Sequence, residues 1–375
     1  MIQKVKIKSL NLSEFRNYSS LRLVFDSQKT ILVGDNGAGK TNILEAISFL
    51  SPGRGLRRVS YTDVTRIGSA SSFSAFARVE GMEGLADISM KLELKDNRAV
   101  RYLRINDVAL RLIDELNDHL RINWLVPSMD RIFSGPSIER RRFLDRMVFS
   151  LDQKHRRRMI GFERLMRSRN CLLSEDFFDS SWCSSIESQM AELGIAIAVA
   201  RQEMTNQLSL LIKEDTQREG FPSVELNVSG FMDGKLNHAF LALKQEYADI
   251  LLERRKIDAI AGRALVGPHR SDLIVNYCDK DIKASHASTG EQKVVLVGIF
   301  LAHARLISTM TGFAPILLLD EVAAHLDEGR RNALFRIIDD IGGQTFMTGT
   351  DSSVFSSLGE TARFIHVSHN QACYI

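Results

Sequence analysis

The chain has 375 residues, 44% hydrophobic and 25% charged, with a net charge of +3, an ordinary globular composition with core enough for about two to three domains. The near-neutral total excludes reading a partner from overall charge, so only its distribution is informative. Four cysteines, Cys171, Cys183, Cys278 and Cys373, form no C-x-x-C pair and no disulfide rhythm, which excludes a disulfide scaffold and suits a reducing cytoplasm.

The opening "MIQKVKIKSLNL" alternates lysine with apolar residues as a strand does, and it lacks the continuous apolar core of a signal peptide. No window reaches about 18 uninterrupted apolar residues, so no membrane span is expected, and the chain reads as a soluble cytoplasmic protein. Residues 1 to 115 are predicted to be β-rich, with strands at "VKIKSLNL", "LRLVF", "KTILVG", "SFSAFARVE", "ADISMKLEL" and "AVRYLRIN". One helix interrupts them, with Ile43, Leu44, Ile47 and Leu50 at helical spacing. Just before it, "GDNGAGKT" fits G-x-x-x-x-G-K-[ST]. Backbone amides from Gly34 through Asp35, Asn36, Gly37, Ala38 and Gly39 can close on phosphate oxygens, helped by the positive end of the helix behind them. Lys40 would reach the terminal phosphates of ATP, and the Thr41 hydroxyl would ligate Mg²⁺.

From about 115 to 215 the pattern turns helical. Residues 131–169 carry twelve Lys or Arg against four Asp or Glu, a balance of +8 that leaves −5 for the rest. Its clusters, Arg140, Arg141, Arg142 and Arg156, Arg157, Arg158, suit sequence-independent phosphate contacts on DNA. The same residues also suit a solvated helix face closed by internal ion pairs. Ile186, Met190, Leu193, Ile197, Ala200, Met204, Leu208 and Leu211 then recur at steps of three and four, close to a heptad seam. Phe240, Leu243, Tyr247, Ile250 and Leu251 make a second stripe, beyond the short strand "VELNV". A helical hairpin in an ordinary helical subdomain and a coiled-coil arm both fit. "VGPHRSDL" reads as a structural turn.

After about 262, strands and helices alternate. "ILLLDEV" is a buried strand, Ile316 to Leu319, ending in two acids. Asp320 would hold the metal and Glu321 would act as general base toward water. "STGEQKVVLVGIFLAHARL" begins a long helix whose start at Ser288 suits an anion. The expected architecture is α/β, a mixed sheet built from both chain ends and split by a helical insertion. Residues 1–115 would hold the first part of lobe I, 116–300 the helical lobe II, and 301–375 the rest of lobe I.

These elements together resemble ABC-type P-loop ATPases. S-T-G-E-Q stands where their signature commonly reads S-G-G-Q, which implies nucleotide contacts from Ser288, Gly290 and Gln292. "AAHLD" resembles their D-loop, with Asp327. Where transporters carry a switch histidine this chain has "MTGTD", so Thr350 or Asp351 is the nearest candidate for sensing the terminal phosphate. "FRNY" ahead of the phosphate loop is similar to a segment of the chromosome-maintenance and recombination ATPases, and implies that Arg16 approaches the nucleotide. With "SGPSIERRRFLD" and "VGPHRSDL", the whole chain closely resembles the bacterial RecF family. That resemblance implies an ATP-dependent DNA-binding protein and slow DNA-dependent ATPase, a head-to-tail homodimer on ATP, work with RecO and RecR, RecA loading at gaps, and a part in the damage (SOS) response. A soluble ATPase subunit of a membrane transporter, and a nucleotide-stabilised scaffold without turnover, stay open as alternatives.

Overall fold

A computed structural model of the chain describes residues 3–69, 72–81, 84–95, 98–175, 177, 179–214 and 220–375. Its organising element is the strand Lys29–Val33, buried at every position, as a strand covered on both faces must be. Across its six-stranded sheet stand Gln371–Tyr374, Ala362–Ser368, Lys29–Val33, Thr345–Gly349, Ile316–Leu319 and Ile122–Leu125. Neighbours are parallel except the outer pair formed by Gln371–Tyr374. The phosphate loop therefore leaves the carboxyl end of a strand flanked on both sides by chain from the far end of the sequence. This is the expected mixed sheet.

A second, antiparallel sheet runs Tyr18–Val24, Lys6–Phe15, Ser72–Gly81, Gly84–Lys95, Arg98–Ile105 and Val108–Ala109. Its alternating burial follows the period of two that the sequence shows. The helix Lys40–Ser48 packs between the sheets through Ile43, Leu44 and Ile47, in one core with Phe15, Phe49, Phe73, Leu318 and Ile365. Where the Lys6–Phe15 strand bulges between Ile7 and Ser9, the buried Gln344 side chain substitutes for a strand neighbour. Its Oε1 accepts the Ile7 amide at 2.7 Å and its Nε2 donates to the Ile7 carbonyl at 3.0 Å.

Two compact units result: Met1–Asp130 with Gln217–Phe221 and Leu296–Ile375, and Arg131–Thr216 with Pro222–Val295. The first border thus falls after Asp130 rather than after 115. "INWL" is a strand paired with Ile316–Leu319, not the start of the helical lobe; a short apolar run carries no period that separates strand from helix. The later border falls before Leu296 rather than after 300. In the second unit, the 35-residue helix Ser180–Glu214 buries Ile186, Met190, Ile197, Met204 and Leu208 of the expected seam. It packs with Phe162 of the helix Gln153–Leu173 and with Leu243, Tyr247 and Leu251 of the helix Phe240–Glu253. That is a helical subdomain, not an extended arm. Val224–Ser229 pairs with Asp272–Tyr277 in a small antiparallel sheet. The helix Thr289–Thr311 is long and apolar enough to cross a membrane, but most of it is buried as a core helix.

Candidate nucleotide-binding site

The phosphate loop is shaped by close approach. A Cβ on Gly34 would stand 2.1 Å from the Val367 carbonyl oxygen, and one on Gly39 would stand 2.6 Å from the Tyr18 hydroxyl, so both positions require glycine. Gly39, at φ 111°, begins the helix Lys40–Ser48 without a side-chain cap, leaving its first amides to an external acceptor. Lys40 is buried, with Nζ donating to the carbonyls of Gly34 at 2.6 Å and Asp35 at 2.8 Å. Burial pushes its pKa down, opposed by the carboxylates of Glu321, Asp320 and Asp35. An ammonium held by its own loop, in a glycine cradle, fits a polyphosphate that neutralises it.

The acids arrive from the next strands. Thr41 Oγ1 lies 2.9 and 3.1 Å from the two Asp320 oxygens, joining residues that the sequence separates by 279 positions. Thr348, fully buried on the intervening strand, donates to Asp320 Oδ1 at 2.8 Å. The Glu321 amide in turn donates to Thr348 Oγ1 at 2.9 Å. Burial raises the Asp320 pKa, against the lowering effect of the Thr348 and Thr41 hydrogen bonds. The Thr41 hydroxyl and Asp320 carboxylate are hard oxygen donors of the kind that would suit Mg²⁺. Among the described residues no group of three His, Cys, Asp or Glu gathers to hold a metal by itself.

The "FRNY" segment braces this loop. Tyr18 donates to the Gly39 carbonyl at 3.2 Å, and Asn17 bridges Asn42 and Asn370 at 2.7 and 2.6 Å. Arg16, expected near nucleotide, forms a bidentate pair with the fully buried Glu45 at 2.7 and 2.8 Å and reaches the Asp63 carbonyl. Arg57 binds the same carboxylate at 3.0 Å. Asn17 and Tyr18 lie in the quoted "FRNY" segment without a role assigned to them from sequence, and Glu45 and Thr348 were not singled out; of these two, only Glu45 is signalled, by its polar type in an otherwise apolar helix stripe.

The remaining predicted residues have other partners. Ser288 caps the helix Thr289–Thr311; its hydroxyl and amide both donate to Glu291 Oε2 at 2.9 Å, a reciprocal capping box. Lys280 binds the other Glu291 oxygen, and these contacts lower the Glu291 pKa to about 2. Gly290 faces open space, while the buried Gln292 donates to the Ala287 carbonyl at 2.9 Å. Asp327 caps its own helix, Glu328–Ile341, accepting the Arg330 amide at 2.9 Å. Asp351 caps the turn Ser352–Thr361, and Thr350 is exposed. Within "MTGTD" it is Thr348 that donates to the Asp320 carboxylate.

The arginine clusters divide. Arg140 makes a bidentate pair with Asp272 at 2.7 and 2.8 Å, and Arg141 donates to the Ser271 carbonyl at 2.7 Å. Both are committed to the "GPHRSD" turn, which Arg201 also binds at Pro268 and Ser271. Arg142 pairs with Glu139, and Arg158 with Asp152. Arg157 is exposed and Arg156 half-buried. On the helix Gln153–Leu173, Lys154, Arg157, Ile160, Arg164 and Arg167 are exposed at steps of three and four, with the exposed Glu163 beside them, which makes one mainly cationic face.

Residues 6–373 match the family described as the RecF/RecN/SMC N terminal domain. The chain is 56% identical over 369 residues to the DNA replication and repair protein RecF of Rhizobium rhizogenes, and 57% over 367 to that of Allorhizobium ampelinum, covering 98% of each partner in both cases. Its fold is similar to the solved recombination mediator protein RecF–ATP of the RecFOR pathway, with a TM-score of 0.88 at 21% identity over 99% and 98% of the two chains. It is also similar to the Smc head domain of Pyrococcus furiosus, with a TM-score of 0.56 at 16% identity over 99% and 96%. The fold is thus that of an ABC-type ATPase head.

Proposed function

The chain belongs to the RecF/RecN/SMC N-terminal domain family, and from that premise we propose that it is an ATP-hydrolysing, DNA-binding protein of recombinational repair that pairs head-to-tail on ATP. The observation that carries this reading is the convergence of Lys40, Thr41, Asp320, Glu321 and Thr348 at the phosphate loop. Amides from Gly34 to Gly39 cradle the phosphates and Lys40 neutralises them. Thr41 and Asp320 would hold Mg²⁺, which would supply charge neutralisation on the phosphates. Glu321 takes the proton from attacking water.

In this reading the site needs a cover that a single copy does not supply. The exposed helix start at Ser288, Thr289 and Gly290 supplies that cover from a second copy, with Gln292 holding its turn and Asp327 beside the joint. Each copy's affinity for the other then depends on nucleotide, and nucleotide affinity depends equally on pairing. Light scattering with and without ATP and duplex DNA tests this. Wild type should double in mass with ATP, and a Lys40→Met variant that still pairs in response to ATP would overturn the reading.

DNA contact is assigned to the cationic face of the helix Gln153–Leu173. Arg140 and Arg141 are withdrawn from that role because their guanidinium groups are engaged in the "GPHRSD" turn. The family resemblance, and relatives named for replication and repair, support action with RecO and RecR, RecA loading at gaps and a part in the SOS response, all in the cytoplasm.

A further inference from the structure

Thr348 is one residue past the register pair Leu319–Met347, so it stands across the strand from Asp320 at the sheet's carboxyl edge. Its backbone is already placed by the ladder with Leu32. The hydroxyl is therefore not needed to hold the strand, yet it is fully buried and spends both its capacities on the acid pair. A hydroxyl has one proton to give and lone pairs to receive. The proton goes to Asp320 Oδ1 at 2.8 Å, and a lone pair takes the Glu321 amide at 2.9 Å. Glu321 has φ 55°, the left-handed region that side-chain-bearing residues rarely adopt and that persists where surrounding contacts impose it. Asp320 is otherwise met by Thr41 alone among the side-chain hydrogen bonds described for it.

We infer that Thr348 is a positioning residue for hydrolysis: one hydroxyl fixes the orientation of the Asp320 carboxylate and locks the backbone turn that aims Glu321. The inference rests on the ATPase reading above. It gives the two acids a common anchor on a strand that makes no proposed contact with nucleotide, so the loss should appear in turnover rather than in binding. Removing such a support for a reactive carboxylate costs on the order of 10- to 100-fold.

The test compares Thr348→Val, which keeps the shape and removes both hydrogen bonds, with Thr348→Ser, which keeps them. Full-length protein is assayed for kcat and KM with ATP and Mg²⁺, for binding of a fluorescent ATP analogue in EDTA, and for melting temperature. The valine variant should lose roughly 10- to 100-fold in kcat while KM and metal-free binding stay within about twofold, and serine should restore kcat to within about threefold. Unchanged kcat in the valine variant overturns the inference. So does a parallel fall of kcat, nucleotide binding and melting temperature in both variants, which marks a packing residue. Lys40→Met runs alongside. If it hydrolyses ATP as wild type does, the ATPase reading fails and this inference with it. If it is inactive while Thr348→Val is unimpaired, only the inference fails.

Discussion

At the phosphate loop, the first unit keeps its reactive groups buried or half-buried and partnered within one chain: Lys40 on two carbonyls, Asp320 between two threonines, Glu321 tied through its amide. The second unit does the opposite. Ser288, Thr289 and Gly290 are exposed, the Ser288 hydroxyl is turned onto Glu291, and a row of cations lines one helix. The difference teaches which half is preorganised. Buried donors in fixed geometry lose little freedom on binding, whereas in the proposed pairing the exposed helix start would exchange an internal carboxylate for an external phosphate. The second unit's inward charges, by contrast, build structure. Arg169 is fully buried against Glu187 and Asp258, and Arg201 against Asp145.

The largest expected effect breaks the preorganised half. Lys40→Met should weaken ATP binding on the order of 100-fold, because a buried cation that meets phosphate oxygens directly is lost; titration with a fluorescent analogue measures it. Glu321→Gln comes next, lowering phosphate release about 100-fold while ATP affinity stays within about twofold. A matching loss of affinity would mean that Glu321 shapes the cradle instead of acting on water.

On the exposed side the effects are smaller. Replacing Lys154, Arg157, Arg164 and Arg167 with alanine should reduce the salt slope of DNA binding by about 3 to 4 and leave the fold intact. Arg140→Ala should leave that slope alone and instead lower stability by about 2 kcal/mol, as its pair with Asp272 is lost. Fluorescence anisotropy across a salt series and thermal melting separate the two outcomes. The smallest effect sharpens the comparison: Glu291→Gln should tighten ATP-driven pairing about threefold by removing a like charge from the phosphate's place. With its pKa lowered from 4.5 to about 2, Glu291 contributes stability in full above pH 4.5 and loses it as pH falls toward 2. Wild-type pairing should therefore show no Glu291 transition between pH 5 and 8.

The buried half of the site was the more legible in sequence, because phosphate chemistry imposes local spacing. Gly34, Gly39, Lys40 and Thr41 lie within one turn of chain, and Asp320 with Glu321 end an unbroken apolar strand. The mixed sheet followed from apolar strands at both ends of the chain. Thr348 was not legible, since its partners come through strand register and nothing local separates it from Thr345 or Thr350. The arginine clusters left two readings open for the same reason. Asp272 and Ser271 lie 132 and 130 positions from Arg140 and Arg141, so composition counts the cations and cannot see which are already neutralised. Arg16 was placed toward nucleotide by resemblance, while the acid that holds it sits on the next helix at Glu45.

The brace formed by Gln344 on Ile7 closes a loop of 337 residues, and both neighbours of Lys29–Val33 are likewise distant. A ribosome makes the glycine-rich turn early but must deliver the chain as far as Thr345–Gly349 before that strand has any of these partners. Such non-local pairing is slow and leaves an apolar edge available for misassociation meanwhile. Nascent chains should consequently acquire protease resistance and nucleotide capture together, late in translation.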